Sequence, residues 1–469
     1  MVRRSVGWLI LIGAIVASPA AVDVSGLEPR EETQPVEEPA QPNIVLILTD
    51  DQRRDTLRYM PIVRRLLGRH GVTFTNGYVV NPVCCPSRSS ILTGLYSHST
   101  GVYTNKPPDG GFFGFDDEST LATWLQGAGY RTGMFGKYLN GYGQTPYVPP
   151  GWDRWFATFG GGAYYDYAAV SDGEPRTFTS GRRSYGTTVL QDRAVSFIER
   201  TDAATPLFLY WAPHAPHEPA TPHPADRGDF SSLRKWRPTS YDESDVSDKP
   251  RYLGGAPRID GSRAGQIDLF RRLQLESLQS VDRAVGSIVQ ALRDADRLEN
   301  TIIVFTSDNG MLWGEHRWYR KSVPYEEAIG VPFVVRYDAL LDEPRRDDRL
   351  VLNIDLAPTF AAVAGVDAPE MEGRSLLPLL QGAETGWRHA FLIEHLGEGS
   401  AGAPTFCAVH TDRYVLVRYA TGEEELYDLI RDPQQLVNRS GRGTYRDTRR
   451  MLRSTLRRLC DPVPGDLEL

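Results

Sequence analysis

Within Asn43-Ile44-Val45-Leu46-Ile47-Leu48-Thr49 every residue from Ile44 to Leu48 is apolar. A strand without polar alternation must be buried on both faces, which demands a covering layer on each side of its sheet. Shorter runs of the same kind recur at Thr132–Phe135, Pro206–Trp211, Thr301–Thr306 and Val331–Val335. Helical periodicity lies between several of them, over Ser119–Gly127, Val189–Arg200 and Gln266–Leu298. Strands alternating with helices predict an α/β fold with a large, mostly parallel sheet flanked by helices. From about His389 the texture changes to short strands at Phe391–Glu394, Phe406–His410, Tyr414–Tyr419 and Glu425–Leu429, then a basic amphipathic helix over Thr444–Cys460. This predicts a smaller C-terminal antiparallel sheet plus helix. The expected division is 43–388 and 389–469, and 469 residues that are 41% hydrophobic suffice for such a core.

Ahead of this lies a different kind of chain. Residues 1–21 carry Arg3 and Arg4, an apolar stretch from Val6 to Val16 and the small-residue exit Ser18-Pro19-Ala20-Ala21. They read as a cleaved signal peptide, with an uncleaved anchor as the alternative, because the apolar stretch is short for a stable membrane span. Residues 22–42 are rich in Pro and Glu without hydrophobic periodicity and read as a disordered linker. Export makes the expected location secreted, periplasmic or cell-surface. The formal net charge of −8, or −10 once residues 1–21 are removed, argues against nucleic acid as a partner.

Four of the buried runs end in polar residues: Asp50-Asp51, Lys137, His214 and Asp308-Asn309. Ligands of open parallel sheets bind beyond the carboxyl ends of the strands, so these groups are expected to meet in one crevice. Any one of them alone reads as a helix cap or turn residue. Three carboxylates and an amide make a hard oxygen donor set suited to Ca2+, with Mg2+ second. Without a cation the carboxylates would repel one another and take up protons. A divalent ion leaves the set at −1, so an anionic substrate needs further cations, for which Arg88, Lys137 and Lys321 are the candidates.

Cys84-Cys85-Pro86-Ser87-Arg88 precedes Ser89-Ser90-Ile91-Leu92-Thr93-Gly94. These residues match the signature Cys-x-Pro-Ser-Arg-x-x-x-Leu-Thr-Gly, and the chain resembles the type I sulfatases of the alkaline phosphatase superfamily. Gly136-Lys137-Tyr138-Leu139-Asn140, Ala212-Pro213-His214-Ala215-Pro216, Ser307-Asp308-Asn309-Gly310, Gly314-Glu315-His316-Arg317 with Lys321, and Asp355-Leu356-Ala357-Pro358-Thr359 extend the resemblance. At the C-terminal end Glu425-Leu426-Tyr427-Asp428-Leu429 with Asp432-Pro433 looks like the family's ending. The Cys-Cys form of the signature, Gly-Lys-Tyr-Leu-Asn and Asp245-Val246-Ser247-Asp248-Lys249-Pro250 resemble the N-acetylglucosamine-6-sulfatase branch.

The resemblance implies that Cys84 is converted to Cα-formylglycine by a formylglycine-generating enzyme. Hydration gives a geminal diol, of which one hydroxyl attacks sulfur and expels the alcohol. The other then collapses to the aldehyde and ejects sulfate by C–O cleavage. Asp50, Asp51, Asp308 and Asn309 match the metal ligands, completed by modified Cys84. Arg88 matches the residue that holds the diol, and Lys137 and Lys321 neutralise sulfate oxygens. His214 matches the histidine near the leaving-group oxygen, while His217 also precedes x-Pro and stays an alternative. Many sulfatases carry a histidine two residues after the lysine equivalent to Lys137, where this chain has Leu139, so the base for the second step stays open. His316 is a candidate for it.

The implied activity is an exported sulfuric ester hydrolase acting on a sulfated sugar, including glycosaminoglycan units 6-sulfated on N-acetylglucosamine, or on an aryl sulfate. Alternatives are a phosphonate monoester or phosphodiester hydrolase of the same superfamily and a non-catalytic sulfoglycan-binding protein. Between Gly160 and Pro257 many Tyr and Arg residues, among them Tyr164, Tyr165 and Arg182-Arg183, are candidates to select the substrate. Cys407 and Cys460 are the two cysteines outside the signature, and an oxidising compartment would pair them.

Overall fold

A computed structural model describes residues 41–143, 146–159, 163–179, 181, 184–383, 386–397 and 402–469. The expected signal peptide, nearly all of the expected linker, and Arg182-Arg183 lie outside these described residues.

The apolar run at the start of the folded part forms strand β1 (Asn43–Thr49), with all seven residues buried. Its alternate side chains enter different cores. Ile44, Leu46 and Leu48 pack with helices α1 (Cys84–Thr93), α2 (Leu121–Gly127) and α5 (Leu356–Ala364), while Val45 and Ile47 pack with α3 (Gly186–Glu199) and α4 (Gly261–Asp294). The strand is therefore the centre of a three-layer sandwich, as a run without alternation requires. Each fully buried Leu, Ile or Val contributes about 1.5–3 kcal/mol relative to exposure, so the two cores rather than local propensity hold the layers together.

The other strands of this sheet are β2 (Gly71–Phe74), β3 (Arg131–Lys137), β4 (Arg154–Phe159), β5 (Tyr167–Ser171), β6 (Glu174–Phe178), β7 (Leu207–Ala212), β8 (Thr301–Ser307), β9 (Phe333–Tyr337) and β10 (Arg345–Asp347). The ten lie in the order β10-β2-β9-β8-β1-β7-β3-β4-β5-β6. The central strands β8, β1, β7, β3 and β4 are parallel. The margins turn antiparallel, with β9 between β2 and β8 and the β5–β6 pair at the other edge. The expected mostly parallel sheet is thus a parallel centre with mixed edges.

Register brings the strand ends level. Thr49 pairs with Ser307, Ile47 with Trp211, and Gly136 with Ala212. Asp50, Lys137, His214 and Asp308 therefore leave the sheet at one edge, each within a few residues of the others' level. Gly136 permits the close approach of β3 to β7: its φ is 132°, and a Cβ there would stand 1.9 Å from the Ala212 carbonyl oxygen.

The C-terminal part is a four-stranded antiparallel sheet of β11 (Ala390–His395), β12 (Phe406–Thr411), β13 (Tyr414–Tyr419) and β14 (Glu424–Asp428). Phe391, Ile393, Phe406, Val415 and Val417 face Tyr78, Val331, Leu352 and Ile354 of the larger part. Leu392, Cys407, Val409 and Leu416 face helix α6 (Arg446–Leu459) through Leu452 and Leu456. Cys407 and Cys460 form the expected disulfide, with Cα atoms 6.5 Å apart.

Element limits shift by a few residues from the sequence expectation. Helix α4 begins at Gly261 rather than Gln266 because the Asp260 side chain accepts from the Arg263 amide and caps it early. Strand β9 begins only after Pro332, which lacks an amide hydrogen for the ladder.

Candidate active site

Cys84 opens α1 and every residue of that helix is buried. Burial pushes the Cys84 thiol up to about 12, with Lys137 and Lys321 pulling down and Asp50 and Asp308 adding to the rise. Such a thiol is protonated at neutral pH and a weak nucleophile as it stands. Its Sγ lies 2.7 Å from Lys321 Nζ and 3.6 Å from Asp50 Oδ1.

Three carboxylates and three cations pair around it. Lys137 Nζ donates to Asp50 Oδ2 at 2.6 Å, Arg88 Nε to Asp308 Oδ2 at 2.8 Å, and Lys321 Nζ to Asp51 Oδ1. Burial raises the pKa of Asp50, but Lys137, His217, Arg88 and His214 together outweigh it and hold the carboxyl well below the usual range. Burial likewise opposes ionisation of Asp51, and Lys321 and His217 overcome it. At Asp308 burial and the neighbouring Asp50 prevail over Arg88, so its pKa is raised. Lys321 is desolvated, yet Asp51 and the other anions hold its pKa well above the ordinary lysine value.

The backbone sets these directions. Asp51 sits at φ 65°, a left-handed conformation that Asp tolerates, and its amide donates to Asp308 Oδ1 at 3.1 Å. Asn309 Nδ2 donates to Asp51 Oδ1 at 2.6 Å, and its Oδ1 accepts from Lys321 at 3.3 Å. Arg88 spends a second nitrogen on the Lys137 carbonyl at 2.7 Å, leaving the other terminal nitrogen buried without a hydrogen-bond partner.

Asp50, Asp51, Cys84 and His217 each offer a ligand atom within 4.8 Å of one another, and Asp308 and Asn309 adjoin them through Asp51. The oxygen donors fit a hard divalent cation, and the pairing with lysine and arginine supplies the positive charge an anionic substrate needs. His217 adds an imidazole that the sequence reading did not count among the ligands. The turn from His214 to His217 brings both rings to the cluster, 4.7 Å apart. His214 Nδ1 is 3.4 Å from Asp50 Oδ2, and His217 Nε2 is 3.7 Å from Asp51 Oδ2. Burial lowers the pKa of His214 to about 3, against the pull of Asp50.

His316 is buried elsewhere in the loop: its Nδ1 is 2.6 Å from Glu243 Oε2 and its ring stacks on Tyr325 at 4.2 Å. Glu315 anchors the same loop by accepting from Arg53 and Trp236, which holds Lys321 in reach of Asp51. Of the aromatic candidates, Tyr164 packs on His214 at 5.6 Å and donates to the His217 carbonyl at 2.8 Å.

Two cavities flank the His214–Glu218 turn. One of about 200 Å³ is lined by Lys137, Asn140, Tyr142, Phe159, His214 and His217. The other, of about 510 Å³, is lined by Glu218, Arg263, Phe270, Tyr319 and Arg320. Sequence reasoning missed this second wall, although Tyr319-Arg320 immediately precede Lys321 and pair with Leu312-Trp313 in the hairpin that carries it.

The chain matches the family model described as Sulfatase over residues 42–366 and the one described as N-sulphoglucosamine sulphohydrolase, C-terminal, over residues 314–461. It is 36% identical to the putative extracellular sulfatase Sulf-1 homolog of Caenorhabditis elegans, over 76% of this chain and 52% of that protein. The chain thus spans about half the length of that relative. It is 33% identical to human N-acetylglucosamine-6-sulfatase, over 76% of this chain and 68% of that one. A solved structure described as in complex with its substrate D-glucosamine-2-N,6-O-disulfate superposes with a TM-score of 0.78 at 25% identity, covering 89% of this chain and 97% of the other.

Proposed function

The chain belongs to the sulfatase family of the alkaline phosphatase superfamily, and from that premise we propose that it is an exported hydrolase of sulfate esters. Its proposed substrate is a sugar carrying a 6-sulfate on N-acetylglucosamine, or an aryl sulfate. Two similar proteins are named for, or bound to, 6-sulfated glucosamine units, which supports the sugar. The observation that carries the reading is Cys84 at a buried helix start, between Asp50 and Lys321 and beside paired carboxylates and cations.

In this reading Cys84 is matured to formylglycine by a formylglycine-generating enzyme, and the hydrated aldehyde supplies one hydroxyl to attack sulfur and a second to release sulfate. Asp50, Asp51, Asp308, Asn309 and modified Cys84 would hold Ca2+, or Mg2+ as second choice. The chemistry a bound divalent ion supplies is polarisation of a sulfate oxygen and acidification of a neighbouring hydroxyl. Arg88 is fixed by Asp308 and the Lys137 carbonyl, and its spare nitrogen is the donor that orients the side chain at position 84. Lys137 and Lys321 face charge developing on the sulfate oxygens, already positioned by Asp50 and Asp51. His214 and Lys321 together deliver a proton to the leaving oxygen: Lys321 is held protonated by the surrounding anions, and His214, neutral in the resting site, relays the proton to that oxygen.

Export to a secreted, periplasmic or cell-surface location is supported by the Cys407–Cys460 disulfide and by relatives named as extracellular. Among the described residues no helix is long and apolar enough to cross a membrane.

The decisive experiment is mass spectrometry of the tryptic peptide spanning Cys84, with elemental analysis and side-by-side kinetics on an aryl sulfate and an aryl phosphonate. We expect a thiol-to-aldehyde mass loss at Cys84 and not at Cys85, bound calcium, and preference for the sulfate. Full activity with both cysteines unmodified overturns the mechanism, and preference for the phosphonate reassigns the reaction.

A further inference from the structure

A groove of about 720 Å³ runs between residues 54–69 and the sheet margin formed by β2, β9 and β10. Arg54, Arg58, Arg64, Arg65, Arg69 and Arg346 line it, against the single acid Asp55. Asp55 is taken by Arg53, and Arg54 pairs with Glu326. The other five arginines are exposed, and none of them forms an ion pair among the described residues. In a chain of formal net charge −8 this is a local reversal of sign.

The cluster is costly as it stands. Two successive helical turns, Arg54–Tyr59 and Arg64–Gly68, crowd like charges onto one wall, and β10 adds Arg346 from the other side. Like charges brought together on one wall repel one another, and a bound anion relieves that repulsion. Guanidinium groups in a row suit a polymer bearing many anionic groups, since each can offer paired N–H donors to two oxygens of one sulfate, phosphate or carboxylate. Exposed Pro61 and half-buried Leu57 add a small apolar strip to the groove wall.

We propose that this groove is a second, non-catalytic binding site for a sulfated polysaccharide chain. The choice of a sulfated glycan over other polyanions rests on the proposed sulfatase function; the presence of a polyanion site does not. The groove shares the active edge of the sheet. Val334 pairs with Phe305, three residues before Asp308, so the two sites are separated by about two strands, roughly 10 Å across the sheet. The site holds the polymer while its sulfate esters are presented to the cluster.

The test uses the full chain in a Cys84→Ala background, so that binding is read without turnover. The probe is a fluorescent heparin dodecasaccharide titrated across NaCl concentrations, beside a DNA duplex of equal charge and vesicles of anionic phospholipid. The variant Arg64→Ala/Arg65→Ala/Arg69→Ala should weaken heparin binding about tenfold or more at low salt. It should also flatten the slope of log K against log salt by about 2 to 3, given somewhat less than one unit per lost anion contact. The corresponding Arg→Lys triple should keep most of the slope, which separates loss of charge from misfolding. With Cys84 intact, the Ala triple should hydrolyse a small aryl sulfate at the parental rate and a sulfated polymer more slowly. Unchanged heparin affinity and slope overturn the proposal, and DNA or vesicles bound as tightly as heparin overturn the assignment to a glycan. Failure to hydrolyse any sulfate would defeat the proposed function while leaving the binding result standing.

Discussion

Asp50 and Asp51 are neighbours in sequence, yet each has its own lysine and its own histidine. That division suggests separable roles for the two imidazoles. If His214 protonates the departing oxygen, its loss matters only when the leaving group is basic. His214→Ala should therefore lower kcat/KM about 10²–10⁴-fold for a sugar or alkyl sulfate and only slightly for 4-nitrophenyl sulfate. His217→Ala, acting beside Asp51, should affect both substrates alike. Equal losses for both substrates in His214→Ala would remove the proton-donor role. These residues were legible in the sequence because Asp, Lys and His are expensive at the ends of buried strands and so stand out there. The choice between His214 and His217 was not legible, since one tight turn carries both rings inward. Arg263 and Tyr319 were invisible for another reason: they are more than 50 positions apart and meet only when α4 packs beside the Tyr319-Arg320 strand, where Arg263 lies 4.5 Å over the Tyr319 ring.

Elements built from strong periodicity were readable, and marginal strands were not. β1, β7 and β8 carry largely apolar runs, whereas β6 is Glu-Pro-Arg-Thr-Phe and mostly exposed, held by pairing with β5 and by Phe178 packing on Tyr167 and Phe156. A contact between elements yields a pH prediction. His98, in the short helix Ser97–Thr100, lies between Glu394 of β11 at 3.0 Å and Glu372 at 3.2 Å. Burial pulls its pKa down, but hydrogen bonds and charge from the two glutamates raise it to about 10. A histidine whose folded pKa is raised stabilises fully below its unfolded value, about 6.5, and the contribution fades as pH rises through the folded one. The deficit of His98→Gln relative to the parent protein should be greatest at pH 6 and nearly gone above pH 10. Urea midpoints measured at pH 6, 8 and 10 check this, and a deficit that is constant with pH would show that the ion pairs contribute nothing.

The ten-stranded and the four-stranded sheets are joined through a shared core, and this bears on whether the division at 389 marks an independent domain. Tyr78, Val331, Leu352 and Ile354 from the larger part are buried against Phe391, Phe406, Val415 and Tyr427. Polar ties run through the same contact: His410 Nε2 lies 2.7 Å from Glu326 Oε1, Tyr325 donates to Glu425 Oε1 at 2.8 Å, and the Glu394 amide donates to the Val80 carbonyl at 2.9 Å. Val80 stands four residues before Cys84, and Tyr325 four after Lys321, so the small sheet buttresses both segments that carry the site. Ending the chain at Arg388 would expose an apolar face and leave Glu326 and Tyr325 without these partners, a combination that costs far more than the 5–15 kcal/mol by which domains are stable. We therefore expect residues 389–469 to be a subdomain in architecture but not in folding. Calorimetry of the chain without residues 1–21 should give one cooperative transition, and a chain ending at Arg388 should be insoluble or inactive. Two resolved transitions, or an active truncated enzyme, would establish 43–388 as a domain that folds by itself.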